Sequence, residues 1–491
     1  MNSKYCDVWE WEHLRRPITG RVVQVADRRG DFGVITIERD DEYGISAVIE
    51  TDGKARWADD LPEGVPGTEV VGTLVVVDIG GDEIQLPDAM IGGHGYQSVH
   101  GLGRGTVHVH LNDFWIGQPG DDKPHLHIDW CVSGPDTSLI FTGMTDRETR
   151  TGYTRVRRTV DQNPANRLET ATDGDLHTGH SWDWLSIRLG DRPIRLCKTP
   201  KDFGPARGKC HAIEYDCDGG GPTQEERDGI VEILGFMFGR QLLPIGTTLF
   251  DKEGGWYAAH VRNPWGNLVR STCEWTDRPA IPMDHSVRFG VASQIQAMAA
   301  AYLSMRDQLD LSTFVWKMFI ADMMPRPTGI PVLAPALEGL ANKWLKSAGN
   351  SQTHYMDPKA FKVHFADEFM AMSAKAAGLP HAEAMLNKMK SAFNLSARDL
   401  FDRFFDGIGL PIGDGERAVI VHRNALAHGG TGKVEPRLSV RVQQAYRTLM
   451  TRTLLKILGH TGDYVDYTIA GWAVRHIDEP MGCTDLKTLL K

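Results

Sequence analysis

The chain of 491 residues is poor in the features that mark several large protein classes. Its seven cysteines (Cys6, Cys131, Cys197, Cys210, Cys217, Cys273 and Cys483) are widely scattered and never form a C-x-x-C pair. That argues against a disulfide framework and points to reduced thiols in the cytosol. The opening run MNSKYCDVWEWEHLRRP holds no apolar signal core. No stretch approaches the roughly 20 apolar residues a transmembrane helix needs. A cytoplasmic, soluble chain with no membrane contact is expected. Positive charge is not in excess: the formal net charge is -10, so any nucleic-acid contact must come from a local basic patch. Internal repeats and low-complexity tracts are absent. Gly101-Leu-Gly-Arg-Gly105 lacks the lysine and the spacing of a phosphate loop.

What remains is an ordinary globular composition, 41% hydrophobic and 24% charged, long enough for two or three cores. Residues 19 to about 260 read mostly as strands. Short β-branched runs at 22–25, 34–37, 47–49 and 70–77 are punctuated by DRRGDFG, DDEYG, TDGK and LPEGVPG. After the Gly-rich stretch GGHGYQSVHGLGRG a second set follows: TVHVH, HLHIDWCV, TSLIFTG, DWLSIRL, PIRLC and HAIEY. This density favours an antiparallel sandwich or barrel-like sheet. One helix is expected over 223–239. There Thr223 and Glu226 have capping-box spacing, and Ile230, Ile233, Leu234 and Met237 form an apolar stripe. From about 285 the pattern is helical, broken at MPRPTGIP, GNSQTHYMDP, AGLP, FDGIGLPIGDG and GGTGKVEP. The expected fold class is α+β, with a β-rich domain over 1–285, divisible near 92–105, and a helical bundle over 286–491.

The segment DGERAVIVHRNALAHGG, 414–430, carries the most chemistry. Gly429-Gly430 is a strong helix stop, so a helix is expected from about 415 to 428. Arg423 lies four residues after Val419 and four before Ala427. A guanidinium on that packing stripe is costly unless it faces a groove or a partner. Asn424 and His428 are four apart and share a face. Arg423 and His428 are five apart, about 140° round the helix, and do not. At the helix C-terminus the dipole favours imidazolium. A histidine that trades a proton near neutrality beside a fixed cation suits metal-free RNA cleavage: the base takes the 2′-hydroxyl proton and the guanidinium offsets charge on the phosphate.

This segment resembles the R-x(4–6)-H motif of HEPN ribonucleases, including the polar residue after the arginine. Ala336-Leu337-Glu338-Gly339-Leu340 resembles an early helix of that bundle, and the run from Leu454 to Tyr467 resembles the closing segment of the ApeA-like HEPN group. A β-rich region ahead of the bundle is similar to the layout of ApeA-type anti-phage proteins. The resemblance implies a HEPN-like bundle and a metal-independent endoribonuclease of abortive-infection defence. It implies an RNA substrate, no cofactor, a homodimer or larger assembly that completes a composite cleft, and a phage-derived trigger sensed by the β-rich domain. In these roles His428 is the acid/base, Arg423 the electrostatic stabiliser and Asn424 the orienter. The other reading is a non-catalytic HEPN-like binding or dimerisation protein in which Arg423 and His428 are structural and the β-rich domain does the recognition.

Spacing alone is loose, because Arg417 and His422 fit the same string. Arg417 is read as scaffold, and His422 as a residue that could line the same cleft. Lys433, Arg437 and Arg441, followed by Arg447, Arg452 and Lys456 along the last long helix, are candidates for RNA phosphates or, equally, for a solvated face. His108 with His110, and His125 with His127, form His-x-His pairs near Asp113 and Asp129, a ligand geometry that matches no named metal motif. His177 and His180 read as loop residues. The tryptophans at 9, 11, 115, 130, 182 and 184 are core or groove residues.

Overall fold

The computed structural model describes residues 14, 17–40, 43–53, 70–99, 102–117, 124–133, 143–150, 153–158, 167–170, 177–190, 192–198, 209–217, 220–252, 256–264, 278–283, 288–349, 353–390, 393–427 and 435–490. The chain is α+β. It divides into two compact units, and not at a single cut: 228–239 and 278–282 group with 297–491, and the remainder forms the first unit.

The first unit holds two antiparallel sheets. Strands β1 (Ile18–Val25), β2 (Arg28–Arg29), β3 (Val34–Arg39), β4 (Ile45–Asp52), β5 (Val70–Asp78), β6 (Glu83–Val99) and β7 (Leu102–His110) pair in the order β2-β1-β3-β4-β7-β6-β5. A further β1–β5 pairing joins the ends and closes six of them into a barrel. Closure brings β1 so near β5 that a Cβ on Gly20 would stand 2.6 Å from the Val77 carbonyl oxygen, so glycine is required there. The Gly-rich stretch near 92–105 lies within this barrel, in β6 and β7, which pair along their length. Residues 93–99 of β6 pair with β7 alone, beyond the part of β6 that pairs with β5.

The second sheet comprises β8 (Asp113–Gly117), β9 (Leu126–Ser133), β10 (Gly143–Arg150), β11 (Tyr153–Arg158), β12 (Arg167–Thr170), β13 (His177–Leu189), β14 (Arg192–Lys198), β15 (Lys209–Asp216), β16 (Leu243–Phe250) and β17 (Trp256–Arg262). Their order is β12-β11-β10-β13-β14-β15-β9-β16-β17-β8. His177 and His180, expected in a loop, belong to β13 and pair with β10; the ladder overrides their polar surroundings. Most of TSLIFTG lies outside the described residues. Alternation along β9 sends Ile128, Trp130 and Val132 into a core shared with barrel residues such as Val22, Ile35 and Val107. Arg39 joins the two sheets by donating to the carbonyls of Leu14, Tyr43, Ile245 and Arg262.

Helix α1 (Gln224–Phe238) begins at the expected box: Glu226 N–H donates to Thr223 Oγ1 at 3.2 Å, and Thr223 N–H to Glu226 Oε2 at 2.8 Å. Ile230, Ile233, Leu234 and Met237 are all buried. Thr223→Ala is expected to cost about 1 kcal/mol, read as a lowered denaturant midpoint. An unchanged midpoint would remove the cap from the account.

The second unit contains α2 (Arg288–Leu309), most of which belongs to it, followed by α3 (Leu311–Met323), α4 (Ile330–Ala348), α5 (Pro358–His364), α6 (Ala366–Ala376), α7 (Ala382–Lys390), α8 (Ala397–Ile408), α9 (Asp414–Ala427), α10 (Pro436–Ile457) and α11 (Leu486–Leu489). Four of the expected breaks each hold a junction between consecutive helices, FDGIGLPIGDG overlapping the end of α8 and the start of α9, and most of GGTGKVEP lies outside the described residues. The break at Asp310 carries no Gly or Pro; its φ of 52° reverses the chain instead. One hairpin, β18 (Asp463–Asp466) with β19 (Ala473–His476), follows α10. The run Ala336–Leu340 lies in α4, where Leu337 and Leu340 are buried. Helix α10 is buried on nearly every side from Val442 to Leu455 and is the centre of the bundle.

Candidate functional site

Helix α9 is described as far as Ala427. Among its described side chains Gly415, Glu416 and Val419 are buried. Arg423 and Asn424 lie on α9; their side chains, His428 and Lys433 lie outside the described residues. His422 is half-buried, and its Nε2 has no hydrogen-bond partner among the described residues.

The first half of α9 is clamped on three sides. Arg417 pairs with Asp402 on α8, in line with its scaffold reading. Asp414 accepts from Lys487 on α11 at 2.7 Å. Glu416, fully buried, pairs with the fully buried Arg452 of α10 and also accepts from Gly413 N–H. Burial pushes the Glu416 carboxyl above its ordinary value, and the Arg452 charge offsets only part of this. Gly415 sits so close to the chain ahead of α11 that a Cβ would meet the Cys483 carbonyl oxygen at 2.3 Å. The helix that carries the motif is thus held rigidly at its base.

The arginine stripe on α10 requires a correction. Arg452 is 0% exposed; it donates to the Ile477 carbonyl at 2.8 Å and to the Pro411 carbonyl, and lies 5.0 Å over the Tyr464 ring. Arg447 is buried against Asp322 at 2.9 Å. Lys456 donates to Asp478 at 2.6 Å. Arg447 and Arg452 brace the bundle from inside and belong to neither a phosphate-binding row nor a solvated face, whereas the Lys456–Asp478 pair lies at the surface. The sequence misled because an internal acid partner, distant in the chain, turns a cation into a core residue. Arg441 bridges Asp485 at the surface, and Arg437 is exposed at the start of α10.

In the first unit the two His-x-His pairs are separated. His108 and His110 are exposed on β7, where Val107 and Val109 fill the barrel. His125 and His127 belong to the second sheet, His127 on β9 and His125 just ahead of it. Among the described residues no group of three or more His, Cys, Asp or Glu is placed to hold a metal.

His127 instead enters a buried polar cluster. Its Nε2 lies 2.9 Å from Asp129 Oδ1, which also accepts from Thr247 Oγ1 at 2.7 Å, while Arg227 Nε stands 3.3 Å from Oδ2. Burial alone would raise the Asp129 carboxyl; His127, Arg227 and Thr247 outweigh it and hold it below its ordinary 3.8. Burial, then the nearby Asp129 charge, raises the Tyr215 hydroxyl well above its usual value and keeps it protonated. The register continues the row from Asp129 to Thr247, His260 and Trp115. His260 stacks on Trp115 at 4.5 Å and faces Asp113 at 3.2 Å. Sequence reading singled out His127, Asp113, Asp129 and Trp115 but not His260, Arg227 or Thr247, which lie about 100 residues or more along the chain from Asp129. A folded pKa held low contributes stability above about pH 4 that is lost as pH falls through it. Asp129→Asn is therefore expected to cost about 1.5–3 kcal/mol at neutral pH, with the gap to wild type closing in acid. Parallel stability–pH curves for the two proteins would contradict this.

No family model matches the chain, and no curated protein or solved structure matches it. Among the described residues no helix is long and apolar enough to cross a membrane.

Proposed function

We propose that the chain is a metal-independent HEPN-type endoribonuclease of bacterial anti-phage, abortive-infection defence, acting in the cytoplasm as a homodimer. The observation that supports the reading best is that positions 423 and 424 lie on α9, a helix whose base is clamped by Glu416–Arg452, with the Gly429-Gly430 stop expected directly after His428. A histidine next to a helix C-terminus is favoured as imidazolium, which suits a group that first accepts and then returns a proton. In this reading His428 takes the 2′-hydroxyl proton and protonates the leaving 5′-oxygen. Arg423 offsets charge on the phosphorus-bound oxygens, and Asn424 orients the imidazole. His422, Lys433, Arg437 and Arg441 are the nearest candidates for RNA contacts. The β-rich unit senses a phage-derived trigger or holds the nuclease silent.

The reaction leaves a 2′,3′-cyclic phosphate and a 5′-hydroxyl. Sequencing of RNA ends after induced expression of wild type and His428→Ala tests this. The expected result is new cyclic-phosphate ends and growth arrest with wild type alone. Equal ends or equal toxicity from both would end the catalytic reading in favour of a binding protein.

A further inference from the structure

In the helical unit, two arginines share one carboxylate. Arg447 of α10 takes Asp322 of α3 through a hydrogen bond of 2.9 Å to Oδ2. Arg278 stands 3.8 Å from Oδ1, an ion pair without a hydrogen bond. Its side chain is only 16% exposed, and none of its five N–H donors meets an acceptor among the described residues. The Tyr467 ring lies 5.9 Å from its Cζ, at the outer limit of a cation–π contact. A mostly buried guanidinium in this state calls for an acceptor. Burial lowers its pKa from the ordinary value, Asp322 offsets part of this, and the Arg326 and Arg447 charges add to the lowering.

The surplus is local, because the chain as a whole carries a formal net charge of -10. Its form selects a ligand. A guanidinium fork meets two oxygens of a phosphoryl group at once. Arg326, exposed on the loop after α3, is near enough for its charge to act on Arg278. On the same Tyr467 ring, at 5.6 Å between centroids, borders Trp472. That indole is 50% exposed, and its φ of 54° is a left-handed conformation, costly for a bulky residue. An open aromatic surface and a surplus cation thus border one tyrosine.

We propose that Arg278, with Arg326, binds a phosphoryl group, supplied either by free phosphate or by a nucleotide whose base stacks on Trp472. These residues are apart from the α9 motif, and the inference stands independently of the ribonuclease reading.

Calorimetric titration of the full chain with inorganic phosphate and with AMP tests it. At least one of the two is expected to bind with Kd below about 1 mM. Arg278→Gln is expected to weaken that binding by about tenfold or more. Arg326→Gln, a change at an exposed position, is expected to weaken it too, with an unchanged melting curve. Tighter binding of AMP than of phosphate, with the gain lost in Trp472→Ala, assigns the site to a nucleotide. AMP no tighter than phosphate assigns it to the free anion. The proposal is overturned if neither probe binds, or if either arginine variant, still folded, binds as wild type does. A gain for AMP that survives Trp472→Ala overturns the stacking role.

Discussion

Arg452→Met is expected to destabilise the helical unit by about 3–5 kcal/mol, measured by urea unfolding followed by far-UV circular dichroism. Arg452 and Glu416 are both 0% exposed as side chains and pair directly. Removing the guanidinium leaves Glu416 inside the bundle with only the Gly413 and Met481 backbone donors, and leaves the Pro411 and Ile477 carbonyls without their donor. Burial already raises the Glu416 carboxyl with the cation present, so its loss favours protonation or local opening at the base of α9. A domain stable by about 5–15 kcal/mol would lose a large share of that margin. Replacing both residues, Arg452→Met with Glu416→Leu, removes the orphaned charge and is expected to recover much of the loss. A single-variant loss below about 1 kcal/mol, or a double variant no better than the single, would show that the pair is not the brace described above.

Local signals in the sequence carried the elements, and long-range pairing decided what they did. The capping box at Thr223–Glu226 and four of the Gly- or Pro-rich breaks were legible because each acts within one turn or loop. The alternating runs that became β3, β4 and β9 were legible for the same reason: a two-residue period needs no partner to be seen. Barrel closure through β1 and β5 was not, since register between strands some 50 residues apart leaves no mark on either. Nor was the fate of Arg447 and Arg452, whose acid partners Asp322 and Glu416 lie on other helices. For the candidate site, spacing alone placed Arg423 and Asn424 on one helix, and both lie on α9; the expected helix end at His428 lies outside the described residues. The clamps on the base of that helix depend on α8, α10 and α11 and were invisible. The Asp129 cluster was half visible: His127 and Asp129 lie two apart on one strand face, while Thr247 and Arg227 arrive from β16 and α1.

His428→Ala and Arg423→Ala are each expected to lower RNA cleavage by about 10²–10⁴-fold while leaving unfolding midpoints within about 0.5 kcal/mol of wild type. His422→Ala, which removes a group outside the proposed proton path, is expected to act weakly. The geometry of one helix adds a sharper expectation. Arg423 and His428 are five residues apart, which on one unbroken helix is about 140° of rotation, and such a helix does not bring them onto a common face. If the arginine of one protomer serves the histidine of its partner, a mixture of the two inactive variants contains heterodimers with one such pair intact. Free exchange makes half of all dimers heterodimers, so the mixture is expected to regain about a quarter of wild-type activity. Arginine and histidine working within one protomer would leave the mixture as inactive as its components, because neither chain then carries both groups. Activity in the mixture but in neither component would therefore tie the chemistry of the α9 motif to assembly of the dimer. An active Arg423→Ala chain alone would remove the arginine from the reaction.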